Sequence, residues 1–293
     1  MDGHQISLED RFSRRSALLG TAAFGSAFAL AAQPVQAQTM IVTPSDGLAA
    51  GEVTVKTDDG KEMKAYRAMP SSGSGFGTIL VVQEIFGVHA HIADMCRRFA
   101  KAGYYAIAAD LYFRLGDATK VSDVQTLVRD WMGKSPEEQV MKDLDSTASF
   151  ARTEGKADVG KLGVTGFCWG GRQTWLYDGH SPAVKAGVAW YGPLTRPASP
   201  ITPKNPIDLV KELHGPVLGL YGGADAGIPQ DQVEQIRAAL KASGNPAAEK
   251  SEINVYADAP HGFNADYRSS YRKEAAEDGW KRCLAWFKSN GVV

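Results

Sequence analysis

The chain has 293 residues and carries 32 Lys and Arg against 33 Asp and Glu, a formal net charge of −1. That balance excludes a sequence-independent nucleic-acid surface or a polybasic membrane patch, since either needs clustered excess Lys and Arg. Apolar residues make up 44% and charged residues 22%, a soluble globular composition that excludes disorder, and three cysteines are too few for a disulfide scaffold.

In chain order, the first signal is one of export. Arg11-Phe12-Ser13-Arg14-Arg15-Ser16 precedes an uncharged Ala/Leu/Phe-rich run from Ala17 to Ala32, and Val35-Gln36-Ala37 suits cleavage after Ala37. Paired arginines before a mildly apolar run predict a twin-arginine (Tat) signal peptide over 1–37 and a periplasmic or secreted protein. A membrane anchor is the alternative, but the run is shorter than the roughly 20 residues needed to span a bilayer. Residues 38–50 are then an N-terminal extension and 51–293 a single domain, with no stable membrane insertion.

The domain alternates strand and helix signals. Val53-Thr54-Val55 and Met63 to Met69 predict a hairpin around Asp58-Asp59-Gly60, where Asp-Gly supplies the positive φ of a tight turn. Apolar runs of strand length follow at Thr78 to Val82, Tyr104 to Ala109, Leu162 to Thr165, Val184 to Trp190, Val217 to Tyr221 and Ile253 to Tyr256. Such runs suit strands buried on both faces. Helical patterns lie between them at Ile92 to Lys101, Val121 to Met132, Pro136 to Arg152, Arg172 to Tyr177 and Gln230 to Ala242, with a closing helix from Tyr271 to Lys288. Ser135-Pro136-Glu137-Glu138 predicts a capping box with proline at the first helical position. The alternation implies a three-layer α/β domain with a mostly parallel sheet.

Chemistry concentrates where Leu162-Gly163-Val164-Thr165 runs into Gly166-Phe167-Cys168-Trp169-Gly170-Gly171-Arg172. This is a nucleophile elbow with Cys in place of Ser: the nucleophile sits in a strained turn, and glycines on either side let strand and helix approach. A helix N-terminus below it favours a thiolate. Two partners follow in the order nucleophile, acid, histidine. Asp225 ends Tyr221-Gly222-Gly223-Ala224-Asp225, and His261 opens His261-Gly262-Phe263 after the last strand. His261 is placed to take the thiol proton, and Asp225 to fix its tautomer. Asp258 is the rival acid, but it lies only three residues before His261 and is too close to end a separate strand. His89 and His91 alternate without a partner at ligand spacing, so a capping or packing role is expected and no metal. Cys96 and Cys283 fall on helices as core thiols, with a bridge between them open as an alternative after export.

Together with Gln83-Glu84-Ile85-Phe86-Gly87 and Asp110-Leu111-Tyr112-Phe113-Arg114, these motifs resemble the dienelactone hydrolase (carboxymethylenebutenolidase) family over about Gly51 to Phe287. The resemblance implies an α/β-hydrolase fold and a cofactor-free carboxylic ester hydrolase that opens esters or lactones through an acyl-enzyme on Cys168. It also implies that Glu84 contacts and activates the nucleophile, that the Ile85 and Trp169 N–H groups form the oxyanion hole, and that Arg114 holds a substrate carboxylate, with Tyr112 beside it. A buried glutamate beside a thiol resists a second negative charge, and a planar guanidinium matches a carboxylate. One departure bears on substrate: the family's second arginine, four residues after the histidine, is Ala265 here, and Arg268 is the nearest candidate. A monomer acting on a small-molecule ester or lactone is the expectation, with a broader carboxylesterase or thioesterase as the alternative and a non-catalytic binding protein further behind. N-terminal sequencing of exported protein should begin at Gln38; an intact Met1 start would remove the signal-peptide assignment.

Overall fold

The computed structural model describes residues 40–293, so the export segment proposed over 1–37 lies outside the described residues. Eight strands form one sheet in the order β1-β2-β4-β3-β5-β6-β7-β8. β1 (Leu48–Lys56) and β2 (Glu62–Pro70) are the expected antiparallel hairpin, and β2 also runs antiparallel to β4 (Tyr105–Ala109). From there the sheet is parallel through β3 (Phe76–Val82), β5 (Ala157–Phe167), β6 (Val184–Trp190), β7 (Val217–Gly222) and β8 (Glu252–Tyr256). This is the α/β-hydrolase fold. Its central strands are apolar on both faces because helices cover both.

The helices are α1 (Ala90–Lys101), α2 (Glu137–Thr153), α3 (Trp169–His180), α4 (Gln230–Lys241), the short α5 (Pro246–Lys250) and α6 (Lys273–Ser289). Two glycines show that α3 and α6 lie on opposite faces. A Cβ on Gly163 would meet the Phe287 ring of α6 at 2.7 Å, whereas one on Gly187 would meet Thr174 of α3 at 3.2 Å. Gly187 pairs with Val164, the neighbour of Gly163, and successive strand residues point to opposite faces. α1 joins the α6 layer through Phe99, whose ring centroid lies 4.7 Å from that of Trp280. α2 joins the α3 layer through Tyr177, which donates to Asp145 at 3.0 Å. α3 is buried from Trp169 to Asp178, so the helix behind Cys168 is a core element.

Two local expectations fail for physical reasons. The helix expected over Val121 to Met132 is broken into short turns, Val124–Thr126, a wider-wound Leu127–Trp131 and Met132–Lys134. Within 121–134 only Leu127 is buried, so no packing stripe enforces one helical winding. The capping box at Ser135 does not form either. Pro136 is itself the N-cap in an extended conformation, and the Ser135 hydroxyl donates backwards to the Trp131 carbonyl at 2.8 Å. A capping box forms instead at Asn205 and Asp208, before the turn Pro206–Leu209.

One buried carboxyl links the α3 layer to the sheet. Asp178 accepts from the His214 and Gly215 N–H groups, each at 3.0 Å, and so fixes the approach to β7. Burial, only partly offset by those two amides, pushes its pKa up to about 8. A carboxyl raised on folding stabilises the protein most below its unfolded value of roughly 4, and that contribution is lost as pH rises towards 8. Asp178→Asn, which keeps an acceptor for both amides, should therefore gain thermal stability over wild type as pH rises from 5 to 8. A melting-temperature difference that does not change with pH would exclude this origin.

Candidate active site

β5 ends at Phe167 and α3 begins at Trp169, leaving Cys168 to make the whole turn with φ 57 and ψ −119. A non-glycine residue at positive φ is strained, and neighbouring contacts must hold it there. The Cys168 N–H donates to the Trp190 carbonyl at 3.0 Å, and its own carbonyl accepts from Gly171 and Arg172 at 2.9 and 3.2 Å. Glycine is required on either side: a Cβ on Gly166 would lie 2.2 Å from the Gly170 carbonyl oxygen, and one on Gly170 would lie 2.4 Å from that of Val82. Arg172, one turn into α3, is buried and donates to Glu137 at 2.7 Å and to Asn205 at 2.9 Å. Arg196 donates to the same Glu137 oxygen at 2.9 Å, which ties the loop after β6 to the base of the elbow.

The structure brings Asp225 and His261 together. Asp225 Oδ2 lies 2.7 Å from His261 Nδ1, and Asp225 Oδ1 accepts from the Gly227 N–H at 2.8 Å. The turn holding Asp225 packs directly on the one preceding His261, with Ala224 N–H donating to the Ala259 carbonyl at 3.1 Å. The His261 ring also hydrogen-bonds Cys168. Burial is the largest influence on His261 and opposes its charge, yet Asp225 and Cys168 outweigh it and lift the pKa to about 10. The same two neighbours thus favour the imidazolium that forms when a thiol proton is taken.

Behind the elbow, Glu84 at the end of β3 is fully buried. Its Oε2 accepts from the Tyr267 hydroxyl and lies 3.3 Å from His89 Nε2, while Oε1 has no hydrogen bond among the described residues. Burial works to neutralise the carboxyl. The Arg268 guanidinium and the His89 contact overcome it and hold Glu84 well below the usual carboxylate range. Glu84 was expected to contact the nucleophile; its side-chain partners among the described residues are Tyr267 and His89, and Tyr191, Tyr267 and Arg268 each feel the charge of both Glu84 and Cys168.

Tyr112 is buried with its ring 4.9 Å from that of Trp169, its hydroxyl without a partner among the described residues, and Cys168 nearby. The Trp169 N–H opens α3, where the first amides of a helix lack intrahelical partners, and Ile85 follows Glu84 in a turn closed by Gly87 at φ 77. Arg114, expected to hold a substrate carboxylate, is ion-paired: Asp143 takes its guanidinium at 2.5 and 3.0 Å and Asp59 at 3.0 Å, while its Nε has no hydrogen bond among the described residues. Arg268 is the opposite case. It is 3% exposed, none of its three guanidinium nitrogens has a hydrogen bond among the described residues, and it stacks on Phe86 at 4.6 Å.

Sequence reasoning missed Tyr191 and Tyr267 and treated His89 as packing. Tyr191 has φ 38, lies 5.1 Å ring to ring from His261, and keeps a buried hydroxyl without a partner among the described residues. Its one sequence signal is its place at the carboxyl end of a buried strand, the edge where such sheets carry ligands. All three cysteines are free and buried, which rules out a Cys96–Cys283 bridge in this structure.

Comparison with known proteins supplies an independent line. Residues 63–291 match the model of the dienelactone hydrolase family. A relative from Methylorubrum extorquens named "Putative carboxymethylenebutenolidase" is 52% identical over 292 residues, covering 100% of this chain and 98% of its own. An Escherichia coli relative of the same name is 52% identical over 267 residues, covering 91% of this chain and 96% of its own. A crystal structure described as a "Putative Dienelactone Hydrolase" from Klebsiella pneumoniae superimposes with a TM-score of 0.79 at 51% identity, covering 82% of this chain and 98% of that one.

Asp225→Asn should remove the charge that opposes burial at His261. NMR titration of the His261 ring should then show its pKa falling from about 10 to its ordinary value or below. An unchanged titration would mean that Asp225 does not control the ring.

Proposed function

The chain belongs to the dienelactone hydrolase family and is a carboxylic ester hydrolase, and we propose that it cleaves ester or lactone bonds through an acyl-enzyme on Cys168. The observation that carries the proposal is the buried Asp225–His261 pair set against a cysteine strained into the elbow. In the first step the thiol proton is held on His261 as an imidazolium, and the sulfur bonds to the carbonyl carbon. The carbonyl electron pair moves to oxygen, facing the Ile85 and Trp169 N–H groups, where such donors contribute roughly 3 kcal/mol each. Collapse of this intermediate breaks the ester C–O bond, and His261 returns the proton to the leaving oxygen. In a lactone the alcohol stays on the same molecule as the acyl group. Water then attacks the thioester, giving its proton to His261, and the thiol is released with the carboxylic acid.

The substrate's anionic group falls to Arg268 rather than Arg114. A buried guanidinium with free donors is costly alone, and a substrate carboxylate would satisfy it. Glu84 lies beside Arg268, so a substrate carboxylate competes with Glu84 for the same cation and frees Glu84 to act on the thiol. The first 37 residues support export as part of the same proposal.

A burst assay with p-nitrophenyl acetate and a dienelactone tests the nucleophile. Cys168→Ala should abolish both turnovers, and equal rates in the two proteins would refute the assignment. Hydrolysis of the simple ester alone would favour a broader carboxylesterase. Arg268→Lys should lower kcat/KM for the carboxylate-bearing lactone by about 10- to 100-fold more than for the neutral ester. Equal losses on both substrates would remove Arg268 from carboxylate binding.

A further inference from the structure

The two hydrogen bonds to Glu84 fall on the same oxygen. Tyr267 donates its hydroxyl to Oε2, and His89 Nε2 lies 3.3 Å from that atom. An ionised carboxylate only accepts, so the Nε2 of His89 must carry the hydrogen. Oε1 is left buried and without a partner among the described residues. Both donors are themselves located by packing. The His89 ring lies 4.9 Å from the Tyr267 ring at an interplanar angle of 77° and 6.1 Å from Phe86. Tyr267 also lies 5.1 Å from the ring of His91, whose Nδ1 is 3.3 Å from Asp266.

His89 has a second face. Its residue lines a separate cleft of about 600 Å³ bounded by Lys64, Tyr66, Asp110, Phe113 and Asp117, to which the triad residues do not contribute. Tyr267 and Glu84 are fully buried, whereas the His89 side chain is 9% exposed. His89 is therefore the member of this cluster that touches both the buried carboxylate and an open cleft.

We propose that His89 is a positioning residue of the esterase site: with Tyr267 it clamps one oxygen of Glu84, so that the other is kept without a hydrogen bond among the described residues. The role rests on the function of Glu84 given above, and it exposes the clamp to whatever occupies the second cleft. The charged and titratable groups facing the clamp are Arg268 and Tyr267 from the loop after β8, His91 from α1, Tyr191 from the end of β6, Cys168 from the elbow, and Glu52, Glu62, Lys64, Asp110 and Asp117 across the cleft. Burial, the main influence on His89, lowers its pKa, so the ring acts as a neutral donor near pH 7.

The test is the pH dependence of Cys168 alkylation by iodoacetamide, together with the titration of the Glu84 carboxyl carbon by NMR. His89→Phe removes the donor and should move the Glu84 midpoint to higher pH by about one unit. A more readily protonated Glu84 opposes the thiolate less, so the alkylation midpoint should move to lower pH. His89→Gln, whose amide nitrogen can occupy the place of Nε2, should keep the wild-type midpoints. His89→Ala covers the case in which the phenylalanine variant does not fold, and its midpoints should return towards wild type on addition of imidazole through the cleft. In a Glu84→Gln background, His89→Phe should produce no further change in alkylation. Coincident midpoints for His89→Phe and wild type, a shift that survives in the Glu84→Gln background, or equal shifts for the Phe and Gln variants would each overturn the clamp. A moved carboxyl titration with unmoved alkylation would leave the clamp standing and remove Glu84 from thiol activation. Full turnover by Cys168→Ala would sink the mechanism on separate grounds.

Discussion

The backbone at Cys168 is the constraint on which the site depends. An L-residue at φ 57 costs on the order of 1–3 kcal/mol and persists only where surrounding contacts leave it no alternative. Here those contacts come from three directions. The Trp190 carbonyl takes the Cys168 N–H, the start of α3 takes its carbonyl, and glycines at 166 and 170 let the strand, the helix and the end of β3 approach to distances that no side chain would allow. Because α3 is buried along most of its length, the turn cannot relax by shifting the helix outward. The strain fixes the thiol at the carboxyl edge of the sheet, and that same edge delivers Glu84, Tyr191, Asp225 and His261 from four other strand ends.

Charge burial follows from this geometry. Glu84, Asp225, His261 and Arg268 are all nearly inaccessible, which is costly for isolated charges and tolerable only when opposite signs are in reach. The two pairs are balanced differently. Asp225 and His261 are joined by a direct 2.7 Å contact, so their alignment is built in. Glu84 and Arg268 act on each other without a direct hydrogen bond, and each keeps unused polar atoms. A paired set orients a base, whereas an unpaired one is open to a ligand that completes it.

What the sequence disclosed was local. Gly-x-Cys-x-Gly after an apolar run, and an aspartate and a histidine after later runs, could be read because strand ends and glycine turns leave a compositional mark. The central strands were legible for the same reason, being continuous apolar stretches. Arginines were not. Arg114 and Arg268 look alike in sequence, and what separates them is that Asp143 and Asp59 hydrogen-bond the first while the second, stacked on Phe86, has no hydrogen bond among the described residues. Both relations span the fold and have no sequence period. The segment from Val121 to Met132 has helical periodicity, but winding there is decided by tertiary packing that the segment lacks. His89 stands at the helix start and packs there as expected, but its contact with Glu84 crosses between elements and leaves no mark in the sequence.

The loop of residues 261–272 shows why the fold must carry these functions together. It has no regular structure, yet it supplies His261 to the nucleophile, Tyr267 to Glu84 and Arg268 to the unpaired cation position. Such a loop holds its shape only if anchored elsewhere. Asp266, between the functional residues, takes Arg98 of α1, and Arg98 also donates to Asp94 at 2.7 Å. Asp94 in turn takes the N–H of Thr43 at 2.6 Å, so the segment before the first strand closes the network. Charged groups at the back of the site thus set the positions of the groups at its front. Loss of the Arg98 contact would act on His261 and Glu84 at once, because one short loop orients the partners of both.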